Sequence, residues 1–245
     1  MVTLSAVVIA RDEEKNIAEC LEGLSFCDEI VVVDSGSRDR TADIARAAGA
    51  KVFENAFVDF ASQKNFGVSK ASGEWVFVVD ADERVSPPLA AEIRETLKHP
   101  EADGYTVSRE NRLFGRLMRH GANAGDRPLR LARRGATRFK GLVHETIELA
   151  MPGRLRHVLR HESTPTVASY MRKLNHYTSL EAQLLTERGE KVDPKKIKRR
   201  PVQVFVYRHF FQRGFLDGIE GFLFSVLSAY YEFIRRIKHA ERTVK

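Results

Sequence analysis

The hydrophobic positions of this chain follow two rhythms. In the first hundred residues, short apolar runs alternate with segments of helical spacing. Leu4-Ser5-Ala6-Val7-Val8-Ile9 is the first run, and its β-branched residues predict a strand. A helix is predicted next, with Asp12 as N-cap, Glu13 and Glu14 in its first turn, and Ile17, Leu21 and Leu24 on one face. Glu29 to Asp34 repeats the strand pattern; a Ser-Gly-Ser turn and a helix from about Asp39 to Ala48, closed by Gly49, follow it. Lys51-Val52-Phe53 predicts a third strand, residues 59–71 a helix, and Glu74 to Asp80 a fourth strand. Ser86-Pro87 should cap and start a helix that ends near His99-Pro100.

Strands this apolar are buried on both sides, so the pattern predicts an α/β fold: a Rossmann-like, mainly parallel sheet with helices on both faces. Such sheets bind ligands at the carboxyl ends of their strands. The polar residues at those ends are Arg11 and Asp12, Asp34 to Ser37, and Asp80 to Glu83, and they should converge on one crevice. Beyond Gly104 to Ser108 the pattern loosens, with Pro128 to Leu131 and Leu142 to Ile147 as short strands of a mixed or antiparallel half. From about Thr166 helical periodicity returns, through Met171, Leu174, Tyr177 and Leu184. We therefore expect an α/β domain over residues 1–165, with a mainly parallel half at about 1–100 and a mixed half at about 101–165. A basic amphipathic helical extension over 166–245 completes it.

A length of 245 residues suits one sizeable core with an appendage. Residues 195–245 hold 12 Lys or Arg against 4 Asp or Glu, which accounts for the net charge of +7; the rest is close to neutral. The two cysteines, Cys20 and Cys27, have no metal or redox spacing, and the start of the chain lacks the basic region and cleavage site of a signal peptide. Both features point to the cytoplasm. Residues 215–234 carry Phe215, Ile219, Phe222, Val226 and Tyr230 at helical spacing, but Asp217, Glu220 and Glu232 interrupt the ~20 apolar residues that a membrane span needs. Two readings of this helix stay open: packing on protein, within the chain or in a homodimer, or peripheral contact of residues 195–238 with an anionic membrane.

Val79-Asp80-Ala81-Asp82-Glu83 empties an apolar strand into carboxylates spaced two apart, which an extended backbone places on one side. Carboxylates there can hold a hard divalent cation, Mg or Mn, or simply cap the next helix. Two other classes are disfavoured. A nucleotidyltransferase needs a Gly-rich phosphate loop after its first strand, where this chain has Ala10-Arg11-Asp12-Glu13-Glu14. A specific nucleic-acid module should interleave aromatic and basic residues, which the tail does not do.

Ser5 to Ile17, Ile30 to Thr41 and Asp80 to Glu83, in that order on three strand ends, resemble the nucleotide-binding half of the GT-A family 2 glycosyltransferases. The resemblance implies a nucleotide-sugar donor and inverting transfer. It implies that Ala10, Arg11 and Glu13 line the base and ribose pocket, that Asp34 accepts from the nucleobase, and that Lys64 meets the diphosphate. Asp80 and Ala81 would contact the donor, Asp80 and Asp82 the metal, and Glu145 would be the base, with His144 and His161 as candidate metal or phosphate contacts. Arg130, Arg133 and Arg134 are candidates for a phosphorylated acceptor or for solvated surface. Two positions depart from the family wording. Arg11 stands where an aromatic residue is common, and Ser35 replaces the second of two adjacent aspartates.

Val143-His144-Glu145, Lys173, Tyr177 and Gly214-Phe215-Leu216-Asp217-Gly218 extend the likeness to bacterial lipopolysaccharide core glycosyltransferases that add β-1,4-glucose to heptose. This implies UDP-glucose, a lipid-linked saccharide acceptor and a place on the cytoplasmic side of the inner membrane. An exopolysaccharide or peptide acceptor is the alternative.

Overall fold

The computed structural model describes residues 3–121, 126–141, 146–164 and 166–243. Its elements are β1 (Leu4–Ala10), α1 (Ile17–Glu22), β2 (Glu29–Asp34), α2 (Thr41–Ala47), β3 (Lys51–Glu54), α3 (Phe60–Lys70), β4 (Trp75–Asp80), β5 (Glu83–Val85) and α4 (Pro87–Thr96). These are followed by β6 (Gly104–Leu113), β7 (Arg116–Leu117), β8 (Leu129–Arg133), β9 (Phe139–Lys140), β10 (Thr146–Ile147) and β11 (Gly153–Thr164), then α5 (Val167–Glu187), α6 (Pro194–Val206) and α7 (Gly218–Thr243). Two compact units result, residues 1–109 with 127–162 and residues 110–126 with 163–245.

In the α/β unit the sheet order is β3-β2-β1-β4-β8-β6-β11-β5. The first four strands are parallel, as the apolar runs predicted; β8 runs antiparallel to β4, and β5 to β11. The sheet is therefore mixed. Side chains alternate across it. Val8, Val32, Phe77 and Val79 pack with Ile17, Leu21, Leu89 and Ile93, while Val7, Val31, Val76 and Val78 pack with Ala61 and Val68. Both faces are covered, which explains the unbroken apolar runs. α3 sits close to β1 and β2 because residue 67 is glycine, and a Cβ there would collide with the Val7 side chain.

Strand order reverses at β1, with β2 and β3 on one side and β4 on the other, the switch point at which such parallel sheets open a crevice. Ala10 lies opposite Asp34, and Ile9 opposite Asp80, so three strands end at one level. The Ser86 side chain caps α4 at the Leu89 N–H, as the Ser-Pro pair predicted. α1 differs from expectation. It starts at Ile17 with Asn16 before it, because the N–H groups of Asp12, Glu13 and Glu14 are donated to Ser37, Thr41 and Asp39 instead. Asp12 takes a left-handed φ of 55° in doing so.

In the helical unit α7 packs on α5 and α6. Asp193 caps α6 by accepting from the Lys195 and Lys196 N–H groups, and α6 runs on into a π-helical turn, Tyr207–Phe211. Asp217 accepts the Arg119 and His120 N–H groups, holding residues 119–120 to the turn before α7. No helix among the described residues is long and apolar enough to cross a membrane.

Candidate active site

The loops after β1 and β2 are stitched together. The Asp12 N–H donates to Ser37 Oγ at 2.9 Å, and the Arg38 N–H returns to Asp12 Oδ1 at 2.8 Å. Asp34, almost wholly buried, closes its own turn by accepting from the Ser37 N–H and hydroxyl. Gly36, at φ 78°, allows that reversal. Ser35 Oγ accepts from Gln63 Nε2 at 2.6 Å, so the residue that departs from the family wording is fixed by α3. Ala10 is buried beneath this loop pair, while Arg11 is exposed and Glu13 half-buried.

Asp80 ends β4 between two cations. Lys64 Nζ stands 2.9 Å from Oδ1, and Arg130 Nη2 stands 2.7 Å from Oδ2. Lys64 is 2% exposed and Arg130 4% exposed, so neither is solvated surface. Burial alone would raise the Asp80 pKa, but the Arg130 and Lys64 charges outweigh it and hold the carboxyl well below the usual range. Arg130, in turn, is held protonated: burial opposes its charge, and Asp80 and Glu83 more than restore it. Glu83, fully buried, accepts from the Asp80 N–H, Arg130 and Arg109. It braces the strand end from below.

Ala81 and Asp82 form a turn, so the extended geometry expected for Asp80 and Asp82 does not hold. The two carboxylates have different partners. Asp82 Oδ1 faces His161 Nε2 at 3.3 Å, brought there by the β5–β11 pairing, in which His161 lies opposite Glu83, and by the Glu162 N–H donating to the Asp82 carbonyl. Among the described residues no three metal-type side chains gather. A carboxylate and an imidazole do suit a divalent cation whose remaining ligands are diphosphate oxygens and water. Asp82 with His161 therefore fits a metal better than Asp80, whose two oxygens are already engaged by cations.

Arg133 and Arg134 lie elsewhere. Arg133 is in register with Trp75, the first residue of β4 and the far end from Asp80, and pairs with Glu74 and Asp103; Arg134 donates to the Gly73 carbonyl. His144 and Glu145 lie outside the described residues. Their flanks are fixed nonetheless: Thr146 and Ile147 pair with Lys140 and Phe139, and the Asn65 side chain exchanges two hydrogen bonds with the Phe139 backbone. β9 is thus pinned to α3 at Asn65, the residue after Lys64. Nothing local in the sequence marks the partnership of Glu83 with Arg109 and Arg130, because those contacts arrive from other strands.

The stitched loop pair, the caged Asp80 and the Asp82–His161 pair all lie at the strand ends of a GT-A-like fold. The chain matches Glycosyl transferase family 2 over residues 5–157, and it belongs to that family. It is 32% identical to the lipopolysaccharide core biosynthesis glycosyltransferase LpsC of Rhizobium meliloti, over 98% of this chain and 92% of that protein. An uncharacterized glycosyltransferase of Rickettsia typhi is 26% identical over 100% of this chain and 89% of its own. Among solved structures, glucosyl-3-phosphoglycerate synthase of Mycobacterium tuberculosis, in complex with Mn2+, UDP and glucosyl-3-phosphoglycerate, superposes with a TM-score of 0.53. It is 20% identical and covers 79% of this chain and 82% of that one.

Proposed function

We propose that this protein is an inverting, metal-dependent hexosyltransferase that moves glucose from UDP-glucose to a saccharide of the lipopolysaccharide inner core. The observation that carries the reading is the divided strand end, with Asp80 caged by Lys64 and Arg130 and Asp82 turned toward His161. The LpsC relative supports the acceptor class, and the neighbour named with Mn2+ and UDP supports the donor.

In this reading Ala10, Arg11, Glu13 and Asp34 receive the base and ribose, with the Arg11 guanidinium able to stack on the base. Asp80 and Ala81 border the ribose. Asp82 and His161 would hold Mg or Mn, which when bound neutralises the diphosphate charge that grows as UDP leaves. Glu145 accepts the proton of the acceptor hydroxyl while that oxygen attacks the anomeric carbon opposite the leaving UDP; one C–O bond forms as the other breaks. Arg130 stands behind Asp80 and sets its charge, and it reaches an acceptor phosphate only if that phosphate draws it from Glu83. The acceptor is lipid-linked, which places the work at the cytoplasmic face of the inner membrane, with residues 195–238 as the contact and no specific nucleic-acid partner.

Calorimetric titration with UDP and UDP-glucose, with Mn2+, Mg2+ or a chelator, tests the donor half. We expect metal-dependent binding that Asp82→Ala abolishes and His161→Ala weakens at least tenfold. Absence of nucleotide binding under every condition overturns the reading.

A further inference from the structure

In a helix packed inside a globular unit the apolar stripe faces inward. α7 is reversed. Its exposed positions from Ile219 to Ile237 are Ile219, Phe222, Val226, Tyr230, Phe233 and Ile237, and no charged residue is among them. They recur every three or four residues and form one face. The inward positions are Gly221, Ser225, Ser228 and Glu232. Charged groups are consumed on that side: Glu232 pairs with Arg235 and Arg236, Glu181 receives Arg235 and the Tyr231 hydroxyl, and Lys238 donates to Asn175, Thr178 and Ser179.

α6 adds a second feature. From Pro194 to Gly214 the chain has seven Lys or Arg and no Asp or Glu. Lys195, Lys196, Lys198, Arg199 and Arg200 are exposed at its start, and Val202, Val206, Tyr207, Phe210 and Phe211 are exposed at its end, Phe211 by 76%. A cationic segment thus leads into an apolar one, with the π-helical turn presenting the aromatic rings.

Few partners satisfy both halves. A nucleic acid would answer the cations but offers nothing to a continuous apolar stripe. A second copy in symmetric contact would cover the stripe but bring the same cations, with no carboxylate between Pro194 and Gly214 to meet them. A bilayer leaflet with anionic headgroups supplies acyl chains and negative charge together. We propose that the outer stripe of α7 and the Tyr207–Phe211 turn lie in the plane of an anionic membrane among the acyl chains, with Lys195, Lys196, Lys198 and Arg199 among the headgroups while Arg200 turns toward Glu232. The proposal rests on the membrane-side reading for its place in the cell and is independent of the sugar donor.

The test is flotation of the full chain with vesicles of phosphatidylcholine alone or mixed with phosphatidylglycerol, at low and high salt, beside UDP calorimetry on the same preparations. The chain should float with the mixed vesicles and release partly in salt. Joint Ile219→Glu and Val226→Glu should reduce binding at least tenfold with UDP affinity unchanged, because both side chains are exposed. Replacing Lys195, Lys196 and Lys198 with Gln should weaken binding roughly fivefold per lysine and flatten the salt dependence. No flotation with either vesicle overturns the proposal, as does flotation that the stripe substitutions leave intact. A dimer in sedimentation equilibrium that Val226→Glu dissociates, without vesicle binding, assigns the stripe to a second copy and also overturns it. Loss of UDP binding alongside intact flotation overturns only the donor reading.

Discussion

Lys64 and Lys238 both turn their ammonium groups on other parts of the protein, Lys64 buried and Lys238 half-exposed, and they belong to opposite arrangements. Lys64, on α3, lies over the Phe139 ring of an apolar cluster and turns its charge on Asp80 at the end of β4. Lys238, on α7, donates to α5 and, with Glu232, Arg235 and Arg236, helps make the inside of the helical unit polar. The α/β unit hides its apolar residues and concentrates buried charge at one site. The helical unit does the reverse, spending charge on helix packing and leaving the apolar face of α7 outward. Buried charge therefore gathers at the strand ends of the first unit, where the proposed donor site lies, and serves helix packing in the second.

The largest expected effect falls on the chemistry assigned to the α/β unit. Glu145→Gln should lower transfer by about 10²–10⁴-fold while leaving UDP-glucose affinity unchanged, measured by turnover and calorimetry together. Unimpaired turnover removes Glu145 as base. Next is Arg130→Met, which leaves Asp80 with Lys64 and Glu83 with Arg109 as their remaining cations and should cost about 3 kcal/mol in urea unfolding, the low end for a broken buried pair. A loss below about 1 kcal/mol would place the network with weak surface pairs.

A pair of glycine substitutions sharpens the contrast between the units. A Cβ on Gly67 meets the side chains of Val7 and Val33, which can shift, whereas one on Gly221 meets the Gly214 carbonyl, which is backbone. Gly67→Ala should cost about 1–3 kcal/mol, and Gly221→Ala should cost more, with both read from urea curves. The reverse ranking would show that the helical unit is the more compliant.

The smallest effect is one of pH. Burial tends to raise the Glu29 pKa, but Lys51, Ser5 and Ser72 outweigh it and bring the carboxyl from 4.5 to about 2. Because the folded value lies below the unfolded one, this contribution is present above about pH 4.5 and is lost as pH falls toward 2. Glu29→Gln should flatten that part of the acid limb by less than about 1 kcal/mol, since Lys51 is largely exposed and the pair is screened. Urea titrations at several pH values below 5 would resolve it.

Legibility follows the range of the interactions involved. β1, β2 and β4 were readable because a strand buried on both faces leaves an unbroken apolar run. β11 was not: Leu155 and Leu159 are buried, but Arg154, Arg156, His157 and Arg160 surround them and conceal the alternation. β5 is only three residues long and is defined by pairing with β11, more than seventy residues on. α1 starts later than a cap at Asp12 predicts, because the partners of Asp12 come from the loop after β2. The acidic residues at 80 and 82 were found by sequence, but the turn at Ala81-Asp82 and the approach of His161 divided their roles.

By itself the sequence determined the β/α alternation, the polar strand ends and the family to which the chain belongs, because each is written in local periodicity and short motifs. The tertiary structure alone decided that Lys64 and Arg130 cage Asp80, that His161 meets Asp82, and that α7 turns its apolar stripe outward. An amphipathic pattern specifies that a helix has two faces, and a charge specifies that it needs a partner. Which face is covered and which partner arrives depend on chain segments dozens of residues away, and only the assembled fold brings those together.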